Sequence, residues 1–456
     1  MNAEALDKEI YRRFIVPTQR KRSHFVGVEF EIPLVNLKKQ AVDFDVIHRM
    51  VPEFAKTFGF TDFIYDDEGQ ISSALSPETH DDLSFDCSYN TLEFSFGRAD
   101  DLNEIEKRFH TYYRFLYDYL SEEHHSLTGM GINPYYHFNN IVPIPNGRYR
   151  MLLHHLNSYT EHPGHMLFHD IPYYGLIACS SQTHLDVEEQ ELPRVINAFN
   201  RLEPLKALLF ANSPFDGGYL CVRDHLWRES MHGWNPHNVD AWDVDLESVE
   251  EIIAYIRSMS LYCTERDGNY INFLPTPLEQ YFSAEQITGE YYTEGGYKQI
   301  GVTPREEDLD YLRSFKFVDL TFRGTVELRS ACMQPIAEAM TVPAFNAGLK
   351  EELPELERIL AAAPVYQQGY SAAELRRLFV LRDLPLFADP GELKQLLTDL
   401  TDLAESGLKK RGKGEERMLE PLKKRAQALT SPALEMVTGI ENGKTQEYYI
   451  EKFGRL

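Results

Sequence analysis

The sequence predicts an α+β fold, in which strands and helices follow one another over the first 335 residues and helices form the remainder. Two observations lead to this prediction. Segments rich in β-branched and aromatic residues indicate strands. Between them, apolar residues recur every three or four positions, which indicates amphipathic helices. The expected strands are residues 25–35, 91–97, 181–188, 269–274 and 317–329.

The expected helices lie between these strands, and after residue 335 only helices are expected. Apolar and aromatic side chains recur at helical spacing in residues 101–123. Further helices are expected at residues 4–22, 192–211 and 246–262. Because no fixed-period repeat or long linker interrupts the chain, we expect a single domain over residues 1–456. It would have a sheet-bearing part at 1–335 and a mostly helical part at 336–456.

Composition restricts the class of protein. Of the 456 residues, 43% are hydrophobic and 12% aromatic, which is typical of a globular chain with a substantial core. No apolar run approaches the roughly 20 residues that cross a bilayer, and the polar N-terminus lacks the apolar segment of a signal peptide. We therefore expect a cytoplasmic protein without a membrane partner. The formal charge of −25 disfavours binding to nucleic acid.

The five cysteines are widely spaced and contain no CxxC pair. This spacing argues against a disulfide framework or a structural zinc site. We expect them to be buried thiols.

The stretch GVEFEIP, residues 27–33, places two like charges side by side in the first expected strand. Successive side chains of a strand point to opposite faces, so Glu29 and Glu31 share one face while apolar residues occupy the other. Like charges on one face repel each other, and the pair therefore requires a compensating partner.

Three further segments combine an apolar face with a polar one: TLEFSF (91–96), SQTHLDV (181–187) and TVELRS (325–330). Their polar faces carry Glu93, Ser95, Gln182, His184, Asp186, Glu327 and Arg329, and Asp86 precedes the first of them. A solvated face of an antiparallel sheet alternates in the same way, but such a face usually mixes Lys, Thr and Ser with its acids. The predominance of acids favours a functional site.

Clustered carboxylates are typical ligands of Mg²⁺, which also binds water and phosphate oxygens. The expected acidic ligands are Glu29, Glu31, Asp86, Glu93 and Glu327. Five acids exceed the needs of one ion, so we predict two or three Mg²⁺ ions around a nucleoside triphosphate. Arg329 shares a face with Glu327 and could stabilise charge on a transferred phosphoryl group. Since the sequence contains no GxxxxGK[ST] loop, the nucleotide site must be built on the sheet.

Longer motifs extend over nearly the whole chain. In order, they are VGVEFE, TLEFSF, GMGINP, PNGRYRMLLHHL, SQTHLDV, ANSPFDGGYLCVRDHLW, YINFLPTPLEQYF, VELRS and SGLKKRG. With these motifs the chain resembles the glutamate–cysteine ligases, particularly their plant and proteobacterial branch, and related carboxylate–amine ligases. ANSPF followed by R-x-x-x-W, together with PxGRYxxM, is more specific than any single acid-bearing strand.

The resemblance implies a glutamine-synthetase-like fold, in which a curved antiparallel β-sheet forms a funnel that holds ATP and helices surround it. It also implies an Mg²⁺-dependent reaction. ATP phosphorylates the γ-carboxylate of L-glutamate, and the amine of L-cysteine displaces the phosphate to give γ-glutamylcysteine, the first step of glutathione biosynthesis. The implied partners are small molecules, and we expect a monomer or homodimer.

Carried over motif by motif, the resemblance also assigns roles to residues of this sequence. The implied metal ligands are Glu29, Glu31, Asp86, Glu93, His184 and Glu327. The implied catalytic residues are Arg329, Glu327 and Glu29. The implied substrate-binding residues are Arg223, Arg148, Tyr149 and Trp227. The implied ATP-binding residues are Lys316, Arg323 and Arg329.

Two departures from the plant pattern leave the amine acceptor open. The chain has THLDV where plant enzymes have VNLDF, which places His184 at the site, and SACMQP follows VELR where plant enzymes continue with RGAD. The alternatives are a ligase that uses another amine and a catalytically inert relative that binds nucleotide. Retention of every expected metal-binding acid together with Arg329 argues against the inert relative.

Overall fold

The structure is a computed structural model that describes residues 1–162 and 169–456. Its strands are β1 (Val26–Asn36), β2 (Asp62–Tyr65), β3 (Ile71–Leu75), β4 (Asp82–Phe85), β5 (Thr91–Ala99), β6 (His125–Leu127), β7 (Ser181–Asp186), β8 (Val239–Asp240), β9 (Ser260–Arg266), β10 (Asn269–Pro277), β11 (Ile287–Thr293), β12 (Gly296–Val302), β13 (Phe315–Lys316), β14 (Val318–Leu320) and β15 (Thr325–Leu328). Its α-helices are α1 (Ala3–Ile10), α2 (Phe44–Phe58), α3 (Leu102–Glu122), α4 (Gly147–Asn157), α5 (Leu192–Phe210), α6 (Val222–Arg228), α7 (Val249–Ser258), α8 (Leu278–Ser283), α9 (Thr341–Glu351), α10 (Leu353–Ala362), α11 (Ala372–Phe379), α12 (Pro390–Arg411), α13 (Glu420–Ala428), α14 (Pro432–Glu441) and α15 (Gln446–Gly454).

A nine-stranded sheet contains all four acid-bearing segments. Its strands run in the order β14-β15-β7-β1-β5-β4-β3-β2, and β6 pairs with the end of β1. Neighbouring strands in this sheet are antiparallel. Strands β15, β7, β1 and β5 are therefore neighbours in space although they are far apart in the sequence.

The apolar face of this sheet belongs to the hydrophobic core. Val28, Phe30 and Ile32 of β1 are fully buried, and the Phe30 ring lies 4.8 Å from that of Phe109 on α3. Each large apolar side chain that is buried in this way stabilises the fold by roughly 1.5–3 kcal/mol. A shift of one residue would expose the whole set, so burial fixes the register and sends the acids to the opposite face.

The helical part after the last strand packs against the sheet and against itself. The Asn346 amide of α9 donates to Thr183 Oγ1 of β7 at 3.1 Å. Helices α9 and α12 approach so closely that a Cβ built on Gly407 would lie 1.9 Å from the Gly348 carbonyl oxygen. The predicted helical region is confirmed, since the elements from residue 336 to the C-terminus are helices.

Two expected elements near the site are wrong in detail. The helix expected at 246–262 ends at Ser258, and β9 begins at Ser260 because that segment pairs with β10. The segment 317–329 is not one strand but the hairpin of β14 and β15. Its turn contains Gly324 at φ +72°, a conformation that favours glycine.

Other differences concern the N-terminal helix and further strands of both sheets. After α1, the expected N-terminal helix continues as a π-helical turn over Tyr11–Ile15 and a 3₁₀ turn over Val16–Gln19. Strands β2–β4 were not predicted, and of the second sheet, which has the order β12-β11-β10-β9, only β10 was expected, at residues 269–274. All five cysteines are free and buried, as predicted. No helix among the described residues is long and apolar enough to span a membrane.

The close crossing of α9 and α12 yields a stability prediction. Gly407→Ala would push a methyl group into the α9 backbone, and we expect a loss of about 1–3 kcal/mol in the free energy of unfolding. Gly391→Ala in the same helix is the matched control, because its nearest neighbour is the Asp389 side chain at 3.0 Å. Urea unfolding of both variants checks this, and equal stabilities would contradict it.

Candidate active site

The strand order gathers the polar side chains on one face of the large sheet. Glu31 lies opposite Glu93 in the β1–β5 pair, and Glu327 lies opposite His184 in the β15–β7 pair. Gly27 also lies opposite His184, on the other side. A Cβ at Gly27 would come within 3.0 Å of the His184 Cβ, so the missing side chain leaves room for the imidazole.

This polar face lines a cavity of about 590 Å³, here called the acidic cavity. The expected metal-binding acids that line it are Glu29, Glu31, Asp86, Glu93 and Glu327. The expected substrate- and ATP-binding residues that line it are Arg148, Tyr149, Arg323 and Arg329. The structure thus brings together residues of β1, the β4–β5 turn, β5, α4, the β14–β15 turn, β15 and its exit, which are separated by up to 300 residues, the span from Glu29 to Arg329.

Glu29, His184 and Glu327 form a potential metal-binding group. One ligand atom of each lies within 4.8 Å of the others. His184 Nε2 lies 3.0 Å from Glu29 Oε1, and Arg323 Nη2 lies 3.5 Å from His184 Nδ1. Burial alone would raise the pKa of Glu29, but His184 and then the nearby arginines outweigh it and lower this pKa to about 2. Glu29 is therefore ionised at neutral pH.

The negative charges of the other acids are less well balanced by neighbouring cationic groups. Burial, and then the charge of Asp86, raise the pKa of Glu31 to about 7. This holds although the Ser180 N–H and the Gln182 amide donate to its oxygens at 2.6 and 2.7 Å. Burial also raises the pKa of Glu93 and that of Asp86. In their charged forms these carboxylates destabilise the site unless a cation joins them.

These residues fit divalent cations. The donor set is rich in carboxylate oxygens, which Mg²⁺ prefers. Within the described ranges, Glu93 takes part in no salt bridge and accepts only the Ser95 hydroxyl, at 3.3 Å. The buried Gln182 Oε1 has no hydrogen-bond partner in the structure. Unpaired oxygens beside several carboxylates are the surroundings that a bound cation would satisfy.

A second, smaller cavity of about 240 Å³ adjoins the first. The residues common to both include Glu31, Asp86, Arg148, Tyr149 and Arg329. Arg223 and Trp227, both expected to bind substrate, line the smaller cavity. Arg223 is only 6% exposed and donates through Nη1 to the carbonyls of Ser330 and Ala331, at 3.2 and 3.3 Å.

The buried Nε of Arg223 has no hydrogen-bond partner among the residues that the structure describes. A buried guanidinium with an unused donor at a cavity wall suits a ligand carboxylate. Trp227, Tyr262 and Phe315 contribute aromatic surface to the same cavity. The smaller cavity therefore suits a ligand with a carboxylate and an apolar part.

Lys316, which was expected to bind ATP, is not brought to the site. Its ammonium is fully buried and donates to the carbonyls of Val239 and Ala241 and to the Tyr255 hydroxyl, at 3.0, 2.8 and 2.9 Å. Burial lowers its pKa to about 8. All three ammonium donors hold neighbouring segments together, which leaves none for a phosphate.

The sequence analysis also missed residues that line the acidic cavity, including Asp82 and Asp319. Asp319 lies opposite Glu327 in the β14–β15 pair, and burial followed by the charge of Glu327 raises its pKa to about 7. Asp82 lies opposite Ser95 in the β4–β5 pair. Asp82 is the only acid of the four-residue β4, which is too weak a signal, and Asp319 falls inside the expected strand 317–329 but was not singled out there.

An acidic cavity that joins an arginine-lined pocket on an antiparallel sheet has the chemistry to accommodate divalent cations and anionic small molecules side by side. The chain belongs to glutamate-cysteine ligase family 2 (GCS2), whose profile matches residues 25–450. The resemblance drawn from the sequence motifs is thereby confirmed.

Similar proteins include the chloroplastic glutamate–cysteine ligase of Brassica juncea, 25% identical over 327 residues, which are 68% of this chain and 58% of that protein. The corresponding protein of Nicotiana tabacum is 24% identical over 340 residues, or 72% of this chain and 58% of that protein. The chain thus spans about 58% of the length of these relatives.

The crystal structure of a bifunctional glutathione synthetase from Pasteurella multocida is similar in fold. Its TM-score is 0.51 at 12% sequence identity, and the match covers 99% of this chain and 53% of that one. The expected mixed fold, with a large antiparallel sheet and many helices, is confirmed.

The uncompensated carboxylates yield a prediction on stability and pH. The pKa of Glu93 is raised on folding, so its stabilising contribution is complete below its unfolded pKa, roughly 4.3, and declines as pH rises towards the folded pKa. Without divalent cations, the free energy of unfolding of Glu93→Gln should therefore exceed that of the wild type by about 1–3 kcal/mol at pH 8. The difference should shrink towards pH 5.

Urea unfolding in EDTA at the two pH values measures this difference. Adding Mg²⁺ at pH 8 should stabilise the wild type more than Glu93→Gln, because the ion would compensate the charge that the variant lacks. If the wild type were more stable than Glu93→Gln in EDTA at pH 8, the charge on Glu93 would not destabilise the site, and the prediction would be wrong.

Proposed function

We propose that the chain is an ATP- and Mg²⁺-dependent ligase that forms γ-glutamylcysteine from L-glutamate and L-cysteine. The observation that carries the proposal is the junction of the two cavities, where Arg329 borders both. The acidic cavity suits a nucleotide with its cations, and the smaller cavity suits an amino acid. Membership of the glutamate–cysteine ligase family supports the same reaction.

The acidic face would hold two or three Mg²⁺ ions. The proposed ligands are Glu29, Glu31, Asp86, Glu93, His184 and Glu327. When bound, Mg²⁺ neutralises phosphate oxygens and stabilises the charge that develops on them during transfer. Arg323, whose guanidinium lies beside His184, would bind phosphate oxygens at the same end of the cavity.

Arg329 is the proposed catalytic arginine because of its position between the cavities. Its Nη1 donates to the Ser314 carbonyl at 3.1 Å, and its Nε lies 3.8 Å from Glu327 Oε1. These contacts fix the guanidinium at the junction before ligands bind. There it would stabilise negative charge on the γ-phosphoryl group of ATP and on the γ-carboxylate that attacks it.

Glutamate would lie in the smaller cavity with its α-carboxylate on Arg223. The unused Nε–H of this buried arginine supports the assignment. Arg148, Tyr149 and Trp227 would contact the glutamate and the attacking amine. The aromatic walls restrict entry of water, which protects an acyl phosphate from hydrolysis.

Release of ADP tests the proposed function. Purified protein with ATP, Mg²⁺ and L-glutamate should release ADP when L-cysteine is added, and γ-glutamylcysteine should form in equal amount. A panel of other amines identifies a different acceptor if turnover occurs with one of them alone. ATP binding without turnover on any amine would indicate an inert relative and contradict the proposal.

Substitutions on the acidic face provide the next prediction. Glu29→Gln and Glu327→Gln should each lower kcat by more than about 100-fold, since each removes a proposed metal ligand. Glu78→Gln, which changes an exposed carboxylate outside both cavities, is the matched control. Near-normal kcat in either site variant, with the fold checked by circular dichroism, would contradict the metal assignment.

The remaining expectations are part of the proposal. We infer a cytoplasmic enzyme whose partners are its small-molecule substrates, active as a monomer or homodimer. Size-exclusion chromatography with light scattering distinguishes the two oligomeric states.

A further inference from the structure

Arg376 on α11 does not line either cavity, yet it uses all five of its N–H donors. Nε and Nη2 donate to the two carboxylate oxygens of Asp224, at 2.6 and 3.2 Å. Nη1 donates to the Glu203 carboxylate and carbonyl, at 2.6 and 2.8 Å. Nη2 also donates to the Ser330 carbonyl at 3.2 Å. The side chain is 2% exposed, and the Phe317 ring centroid lies 4.4 Å from its guanidinium carbon.

The acceptors of Arg376 adjoin the two arginines that face the substrates. Asp224 follows Arg223 in α6, and Ser330 follows Arg329 after β15. The Ser330 carbonyl also accepts a hydrogen bond from Arg223 Nη1, at 3.2 Å. Two guanidiniums therefore hold one carbonyl, and Arg376 connects the helix of Arg223 to the segment of Arg329.

Every N–H donor of Arg376 and every carboxylate oxygen of Asp224 and Glu203 has a partner. The second carboxylate oxygen of Glu203 accepts from Lys206 at 2.8 Å, so the network contains two buried cations and two buried carboxylates. A buried network whose carboxylate oxygens are all paired favours a single geometry, because the loss of one donor leaves a buried acceptor unpaired. Arg376, which lies outside both cavities, therefore fixes the distance between α6 and the segment after β15.

We propose that Arg376 is a positioning residue that sets the placement of Arg223 relative to Arg329. It thereby sets the affinity of the smaller cavity for the α-carboxylate of glutamate. This inference rests on the proposed function, because it takes Arg223 as the carboxylate-binding group. ATP phosphates would be held mainly by the Mg²⁺ ions and Arg323, and Arg329 keeps its own contacts to Ser314 and Glu327, so ATP binding depends much less on Arg376.

Arg376→Lys is the first test. Lysine keeps the charge, but its single nitrogen cannot reach Asp224, Glu203 and Ser330 together. We expect the KM for glutamate to rise about tenfold or more, as for the loss of a charge-assisted contact. The KM for ATP should change by less than about threefold, because its proposed contacts remain. A merely structural role would not separate the two constants.

Arg425→Lys is the matched control. Arg425 is also buried in the helical part, and it donates to the Leu209 carbonyl, to Gln334 Oε1 and to the Glu338 carboxylate. None of these acceptors lines either cavity. Arg425→Lys should lower the melting temperature by a similar amount and leave the KM for glutamate unchanged.

Glu203→Gln is a second variant for the case in which Arg376→Lys does not fold. It loosens one side of the same network without touching either cavity, and it should raise the ratio of the KM for glutamate to the KM for ATP in the same direction. If the folded variant has the same ratio of the KM for glutamate to the KM for ATP as an active wild type, the inference is overturned but the proposed function is not. A wild type without glutamate-dependent ADP release overturns the proposed function and the inference with it.

Discussion

Electrostatic repulsion among buried carboxylates is the constraint on which the rest of this fold depends. Glu31 and Glu93 lie opposite each other on adjacent strands, and Glu29 and Asp86 belong to the same face. Such a face persists only if the other side of each strand stabilises the sheet strongly. The buried apolar residues of β1 and β5 meet this need. A shift of the strand register by one residue would expose these apolar side chains to the cavity and turn the carboxylates into the hydrophobic core.

The protein neutralises only part of this charge itself. His184 and the arginines of the β14–β15 hairpin and its exit lie close to Glu29 and Glu327, so that end of the face is electrostatically balanced. Glu93 has no comparable partner among the described residues, and Glu31 has only neutral donors in hydrogen-bond contact. The division is consistent with a face whose charge is completed by ligands, with divalent ions as the natural complement.

The sequence predicted this face well because its signal is local. Alternation with period two places Glu29, Glu93, His184 and Glu327 on polar faces whatever the topology, and only their assembly into one sheet required the structure. Lys316 shows the limit of such reasoning. It lies close in sequence to the arginines of the site, but β13 pairs with the distant β8, and this long-range pairing buries its ammonium among carbonyls. Asp82 was missed because its four-residue strand is too short to show a pattern, whereas Asp319 lay inside the expected strand 317–329 and was not singled out.

The C-terminal helices do more than cover the sheet, although little in the sequence indicates this. Glu415 is fully buried and accepts from the Leu102 backbone N–H at 2.8 Å, which satisfies a donor at the start of α3, directly after β5. Arg411, at the end of the SGLKKRG motif, donates to Glu415 and to the Asp100 carbonyl. This motif, which lines neither cavity, therefore secures the exit of an acid-bearing strand. Arg376 makes the equivalent connection behind Arg223 and Arg329. The contacts of Glu415 with Leu102, of Arg411 with Asp100 and of Arg376 with Ser330 each join residues more than 40 positions apart, so no periodicity in the sequence could have indicated them.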